Sequence, residues 1–328
     1  MRRPARWLLR LIGPVILAYF LLTTDLNKII INLRSLRWAP FLLSLGLYPV
    51  FVAVKAWRWN LLMRDLDMPP PPLGHSMILY MIGMFVGGAT PGQSGDFIKA
   101  WYLRERGQPM APALFSILLD RLFDFLVMAL LSLLGLIAFL HLFPPPLQVP
   151  IEAFTIGFTV GIVVAIPALM ARRPREWLLR HGLRLAPGRL RAALERWHDQ
   201  VATLDLRPGL MGGLLLASVC AATSTMVRLW LLFRALNVAI PFLALVSSMA
   251  LISNLQSLPI SFSGVGVRDA VLIPVLRSFG YGADQALALS ALVLLINIEN
   301  ILLGFLVSLR HPLGREAPAG ARSAGANP

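Results

Sequence analysis

The chain has 328 residues, 57% hydrophobic and 14% charged, with a mean hydropathy of +0.71 and a formal net charge of +14. A soluble domain is about 45–50% apolar and about 25% charged, so this composition excludes an ordinary soluble globule and points to an all-α polytopic membrane protein. The cations, nearly all Arg, sit beside the ends of apolar spans, which favours cytoplasmic loops and anionic lipid headgroups as their surroundings over nucleic acid.

The N-terminus carries Arg2, Arg3 and Arg6 ahead of an apolar run to Thr24. No small-residue cleavage site follows, so the run reads as an uncleaved first membrane helix. Further apolar blocks fall at roughly 39–56, 75–90, 113–141, 151–170, 209–233, 242–260 and 286–309. The early Arg residues place the N-terminus inside. Lys55, Arg58 and Arg64 put the end of the second block there, Arg104 and Arg106 the start of the fourth, and Arg310, His311 and Arg315 the C-terminus. The loop at 142–150 has no Lys or Arg and fits the outside.

Segment 172–207 holds nine Arg residues with Trp177 and Trp197 interleaved. It reads as a cytoplasmic, basic amphipathic segment lying on anionic headgroups. Residues 1–310 then form the membrane domain, and 311–328, rich in Ala, Gly, Ser and Pro, a disordered cytoplasmic tail.

Two interruptions break the apolar pattern. The first is Thr90-Pro91-Gly92-Gln93-Ser94-Gly95-Asp96, followed by Lys99 and Arg104; the second is Leu258-Pro259-Ile260-Ser261-Phe262-Ser263-Gly264-Val265-Gly266-Val267-Arg268-Asp269, followed by Arg277. Backbone unwinds at membrane depth only where protein or a wet cavity receives it. A matched pair of Gly/Pro-interrupted segments in two halves points to a transporter-type site. The loop sides make 75–112 begin and end inside and 242–285 begin and end outside. That gives six crossings plus two opposed re-entrant hairpins; eight ordinary helices remain the alternative. A shift of 173 positions places Asp96 on Asp269, Leu103-Arg104 on Leu276-Arg277 and Gly107 on Gly280, as an inverted repeat would.

In the first interruption Pro91 stops the arriving helix, Ser94 or Gly95 caps a new one from about 96 to 106, and Asp96 falls in its first turn. With Lys99 and Arg104, such a helix end suits the phosphate of a lipid headgroup; an ordinary turn with snorkelling cations is the plainer reading. Arg268 and Asp269 supply the same parts in the second half. Asp120, Arg121 and Asp124 lie early in block 113–141, with Arg121 in reach of Asp124 at i+3. Arg228 lies deep in 209–233, and Asn297, Glu299 and Asn300 interrupt 286–309. Ionisable groups at membrane depth face the bundle interior and pair; Glu299 has Arg228 or Arg121 as its partner. They form either a polar pathway or ion pairs that fix helix registry. The five His are scattered, no metal-ligand spacing occurs, and no P-loop, G-x-S-x-G or C-x-x-C is present. Neither a cofactor, a metal nor enzymatic activity is expected. Cys220, the single cysteine, reads as packing within its apolar helix.

The run Pro91-Gly92-Gln93-Ser94-Gly95-Asp96-Phe97-Ile98-Lys99-Ala100-Trp101-Tyr102-Leu103-Arg104-Glu105-Arg106-Gly107, with Leu118-Leu119-Asp120-Arg121, resembles the first signature of the lysylphosphatidylglycerol synthase transmembrane-region family. Leu258-Pro259-Ile260-Ser261 and Gly264-Val265-Gly266-Val267-Arg268-Asp269 are similar to its second, and Trp57-Arg58-Trp59 with Leu61-Leu62 also fits. The resemblance covers about 10–310. It implies a helical bundle with re-entrant segments and a flippase-like role in a bacterial inner membrane. Many members carry Glu where this chain has Asp96 and Asp269. The aminoacyl-transferase domain of the fused members is absent, so synthesis of lysyl-lipid is not expected and its transport is in doubt. The expected cargo is an anionic amphipathic lipid: an aminoacyl phospholipid, a glycolipid or a polyprenyl-linked sugar. Asp96, Lys99, Arg104, Arg268 and Asp269 are expected to contact its headgroup, with Asp120, Arg121, Asp124, Arg228 and Glu299 behind them or gating. The alternative is an accessory subunit, or an enzyme, of lipid-linked sugar or envelope-lipid biosynthesis, working beside a partner enzyme.

Overall fold

A computed structural model describes residues 26–90, 95–185, 187–202, 204, 207, 209–257 and 266–313. The first apolar block, residues 91–94 and 258–265 of the two interruptions, and the tail from 314 lie outside the described residues.

Among the described residues every regular element is helical. α1 is Leu26–Arg34, α2 Trp38–Gly46, α3 Tyr48–Asp65, α4 Leu73–Ala89, α5 Ile98–Glu105, α6 Met110–Phe139 and α7 Pro145–Met170. α8 is Arg172–Leu185, α9 Gly188–Val201, α10 Leu210–Ala235, α11 Phe242–Leu255, α12 Val267–Ser278 and α13 Ala283–Arg310. Five stretches are long and apolar enough to cross a bilayer: 38–65, 110–142, 145–170, 210–235 and 283–310. At 1.5 Å per residue, α6 reaches about 45 Å, α4 about 25 Å, α11 about 21 Å and α5 about 12 Å, against a hydrocarbon core of about 30 Å. The two arms of each interrupted segment are thus too short to be independent crossings.

Contacts at the segment ends decide between the two topologies. Arg106, after α5, donates to His75 at the start of α4 across 3.1 Å. Tyr281, after α12, accepts from the Ala239 amide before α11 at 2.8 Å. Each interrupted segment therefore leaves and returns to one end of the bundle, as a re-entrant hairpin does. The two hairpins open from opposite ends. Tyr102 of the first donates to the His311 carbonyl at the end of α13 (2.8 Å), whereas Asn32 donates to Asp284 at the start of α13 (2.7 Å), the end shared with Tyr281.

The two halves, α3–α6 and α10–α13, match in detail. α5 and α12 both end on a glycine with positive φ, Gly107 at 83° and Gly280 at 84°. Each glycine amide bonds the carbonyl three residues back, Arg104 at 2.9 Å and Arg277 at 3.0 Å, and the left-handed conformation costs glycine little. α3 and α10 end on Asp67 and Asn237, also with positive φ, at 53° and 54°. A shift of 173 aligns the hairpin ends, but 170 aligns Asp67 with Asn237 and Arg58 with Arg228.

The hairpins are held by the opposite half. α4 packs on α13 and α11 on α6. Both seams close on a glycine: a Cβ on Gly135 of α6 would come within 2.3 Å of the Ser247 carbonyl, and one on Gly304 of α13 within 2.2 Å of the Met81 carbonyl. Small residues let membrane helices approach at the backbone.

The basic segment is two helices, α8 and α9, broken near Pro187. Arg175 departs from the expectation of a solvated cationic face: it is fully buried, bonds the Leu169, Met170, Ala202 and Leu204 carbonyls and lies over the Phe115 ring. Trp177 is exposed, while Trp197 packs edge-on against Phe115. On the outer face Arg172 donates to Glu176 at 2.9 Å and holds its carboxyl below the usual range; an exposed pair of this kind adds little stability. Cys220 is exposed on α10, not packed inside. The side is apolar there because lipid, not protein, faces it.

Candidate functional site

Thr90 donates to the Val86 carbonyl (3.0 Å) and accepts from the Gly95 amide (2.7 Å), which ties the two arms of the first hairpin together. Gly95 lies against the α4 backbone, where a Cβ would meet the Val86 carbonyl at 2.4 Å. Residues 95–97 form a 3-10 turn ahead of α5. Asp96 thus precedes the α-helix instead of occupying its first turn, and its carboxylate goes to side chains.

Those side chains form one buried network. Asp96 pairs with Lys99 at 2.9 Å and with Arg121 of α6 at 3.0 Å. Lys99 stands 4.0 Å from Asp120 and over the rings of Tyr80 (3.8 Å) and Trp59 (4.9 Å). Asp120 accepts from Arg58 of α3 at 2.8 Å and from the Tyr80 hydroxyl. Arg58 also reaches Asp124 at 2.8 Å and donates to Ser218 of α10 at 3.1 Å; Lys55 pairs with Asp124 at 2.8 Å. Arg58 and Lys99 are wholly inaccessible to solvent. Gly83 makes room for the carboxylate: a Cβ there would stand 2.2 Å from Asp96 Oδ1.

Two sequence expectations change here. Arg58, read as an anchor at the cytoplasmic end of its span, is instead the centre of the network. It lies about two turns inside the helix end at Asp65, facing α6, where two carboxylates satisfy it. Arg121 is drawn to Asp96, not principally to Asp124, because the hairpin brings that carboxylate alongside. Asp120 and Asp124 do share one face, the face Arg58 binds. Arg104 stands apart, exposed on the last turn of α5.

The second half repeats the plan with different chemistry. Arg228 of α10, the counterpart of Arg58, pairs with Glu299 of α13 at 2.7 Å, which settles the choice of partner for Glu299. It also donates to the Ser44 carbonyl (2.9 Å) and lies over the Tyr48 and Phe51 rings. In both halves, then, an arginine on the helix before the hairpin holds a carboxylate on the helix after it. Asp269, the counterpart of Asp96, turns back on its own backbone and accepts from the Gly266 amide at 3.0 Å, capping α12. Arg268 donates through Nε to the neutral Ser290 hydroxyl at 2.7 Å; its Nη1 is buried with no hydrogen-bond partner among the described residues.

Sequence reasoning missed Lys55, Tyr80, Ser218 and Ser290 as members of these clusters. Lys55 and Arg58, at i and i+3 on an apolar helix, carried the one available signal. The hydroxyls carried none, since Ser and Tyr are common in membrane helices.

Arranged this way, the first cluster holds four cations, Lys55, Arg58, Lys99 and Arg121, against three carboxylates, Asp96, Asp120 and Asp124. It offers a fixed, positive, largely dry surface. Among the described residues no group of three His, Cys, Asp or Glu stands together as metal ligands would.

No solved structure matches this chain. It is similar to two proteins from Methanothermobacter thermautotrophicus strain Delta H, each described as a UPF0104 membrane protein. One is 26% identical over 288 residues, covering 79% of this chain and 80% of the relative; the other is 21% identical over 282 residues, covering 81% and 83%. The model of the lysylphosphatidylglycerol synthase TM region matches residues 9–304. That match takes in both hairpins, both arginine–carboxylate pairs and every helix that carries them, and the chain belongs to the lysylphosphatidylglycerol synthase transmembrane-region family.

Proposed function

We propose that the protein translocates an anionic amphipathic lipid across the membrane, passing its headgroup along the polar clusters of the two hairpins. The surplus cation of the first cluster is the observation that carries this reading. A charge at a helix centre in a membrane costs ~2.5–3.5 kcal/mol on insertion scales, so a buried cluster left net positive is expensive to keep unless an anion visits it. Arg268 supports the same reading from the opposite hairpin, since its buried Nη1 has no hydrogen-bond partner among the described residues. An aminoacyl phospholipid, a glycolipid or a polyprenyl-linked sugar would each bring an anionic headgroup on apolar tails. Transport of this kind makes and breaks no covalent bond, so the reading is not that of an enzyme. The Arg density of α8 and α9 turns that end toward the cytoplasm of a bacterial inner membrane and against anionic headgroups.

The test is leaflet exchange of fluorescent headgroup-labelled lipids in vesicles holding the purified protein. Wild-type protein is expected to accelerate exchange, and the double variant Asp96→Asn/Arg268→Gln to return it to the rate of protein-free vesicles at equal protein recovery. No exchange by wild-type protein across phospholipid, glycolipid and polyprenyl classes would sink the transport reading and favour an accessory role beside an envelope-biosynthesis enzyme.

A further inference from the structure

The α6–α7 connection and α12 enclose a groove of about 490 Å3 at the end of the bundle remote from α8 and α9. Its walls are apolar, from Leu142, Phe143 and Pro144 on one side and Ala270 and Pro274 on the other, and Arg277 stands in its lining as the sole charged side chain. Arg277 is exposed, on the last turn of α12. The groove is therefore an amphipathic slot: an oily trough with one accessible guanidinium, at the end of the bundle that also holds Tyr281 and Asp284.

We propose that this groove docks a phosphodiester lipid of net negative charge from the leaflet on that side, its acyl chain along Phe143 and Pro274 and its phosphate, with no headgroup cation competing for it, on Arg277. An arginine fork matches a phosphate's oxygens and is weakly hydrated for a cation. The slot is too apolar for a free polar solute and too shallow in charge for a multivalent one. The first half carries the corresponding cation at the opposite end: Arg104 occupies the position of Arg277 under the 173-residue shift, is equally exposed, and follows the exposed Trp101 as Arg277 follows Pro274. The two hairpin helices thus each end on an accessible arginine, one per face. The proposal extends the transport reading by giving the headgroup a place to stand at the face away from α8 and α9.

The test places a bimane fluorophore at Ser278→Cys, in the groove lining, with the exposed Cys220 changed to Ser. Lipids brominated on their acyl chains quench it on contact. In vesicles otherwise of phosphatidylcholine, brominated phosphatidylglycerol is expected to quench at about fivefold lower mole fraction than brominated phosphatidylcholine, the gain one cation contributes near anionic lipid. Arg277→Gln should abolish that preference and Arg277→Lys restore most of it; both positions are exposed, and each variant's elution profile checks its fold. Equal quenching by the two lipids, or a preference that survives Arg277→Gln, overturns the proposal. Leaflet exchange measured on the same vesicles separates the two readings, because lipid can dock in this groove in a protein that transports nothing.

Discussion

Arg58→Met is expected to cost about 3–5 kcal/mol of stability, the range for removing one partner of a buried ion pair. The side chain is wholly buried and serves Asp120, Asp124 and Ser218 from three different atoms. Methionine fills much of the same volume, so the loss is electrostatic: two carboxylates remain, with Lys55 and Tyr80 as their nearest remaining partners. Arg228→Met should cost less, since it strands one carboxylate, Glu299, whose side chain is 17% exposed. Denaturation by SDS in mixed micelles reads both. The triple variant Arg58→Met/Asp120→Leu/Asp124→Leu should recover most of the stability, because apolar replacement of a whole buried charged group is often neutral. A loss below about 1 kcal/mol for Arg58→Met, the level of an exposed pair, would show that water already reaches the network.

The second large effect concerns the two glycine seams. Gly135→Ala and Gly304→Ala each place a methyl carbon against a backbone carbonyl, at 2.3 Å and 2.2 Å, where neither neighbour is a side chain able to swing away. Helix axes must part, so each variant is expected to lose about 3 kcal/mol, the upper end of overpacking. Gly161→Ala on α7, with no atom within 4 Å of the added carbon, is the control and should be neutral or slightly stabilising. Thermal inactivation in detergent distinguishes them; equal behaviour of all three would mean the seams are looser than their geometry.

Much of the architecture was legible because a bilayer is a strict solvent. Apolar blocks, the two Pro/Gly interruptions and the 173-residue shift were enough for the helices and hairpins. The network was less legible, and for a physical reason. A cation near the end of an apolar run reads the same whether it snorkels to water or turns inward to a carboxylate, so the sequence alone makes Arg58 a topology marker. Its counterpart, Arg228, lay in plain view 170 residues on. The second hairpin is the longer one, running from Phe242 to Gly280 against Leu73 to Gly107 in the first, so one shift aligns the hairpin ends and another the helices before them. The divergence of Asp96 and Asp269 was illegible altogether. Both are an acid shortly after a glycine near a helix start, yet one meets an arginine of α6 and the other its own backbone.

Because α4 rests on α13 and α11 on α6, each half of the repeat covers one flank of the other half's hairpin. The arrangement is that of an exchanged-arm dimer written into a single polypeptide, with α7, α8 and α9 as the tether. One flank of each interrupted segment is a sticky surface complemented by the other half. Packing of the first half is therefore complete only once the second has been synthesised and inserted, although each arginine–carboxylate pair lies within one half.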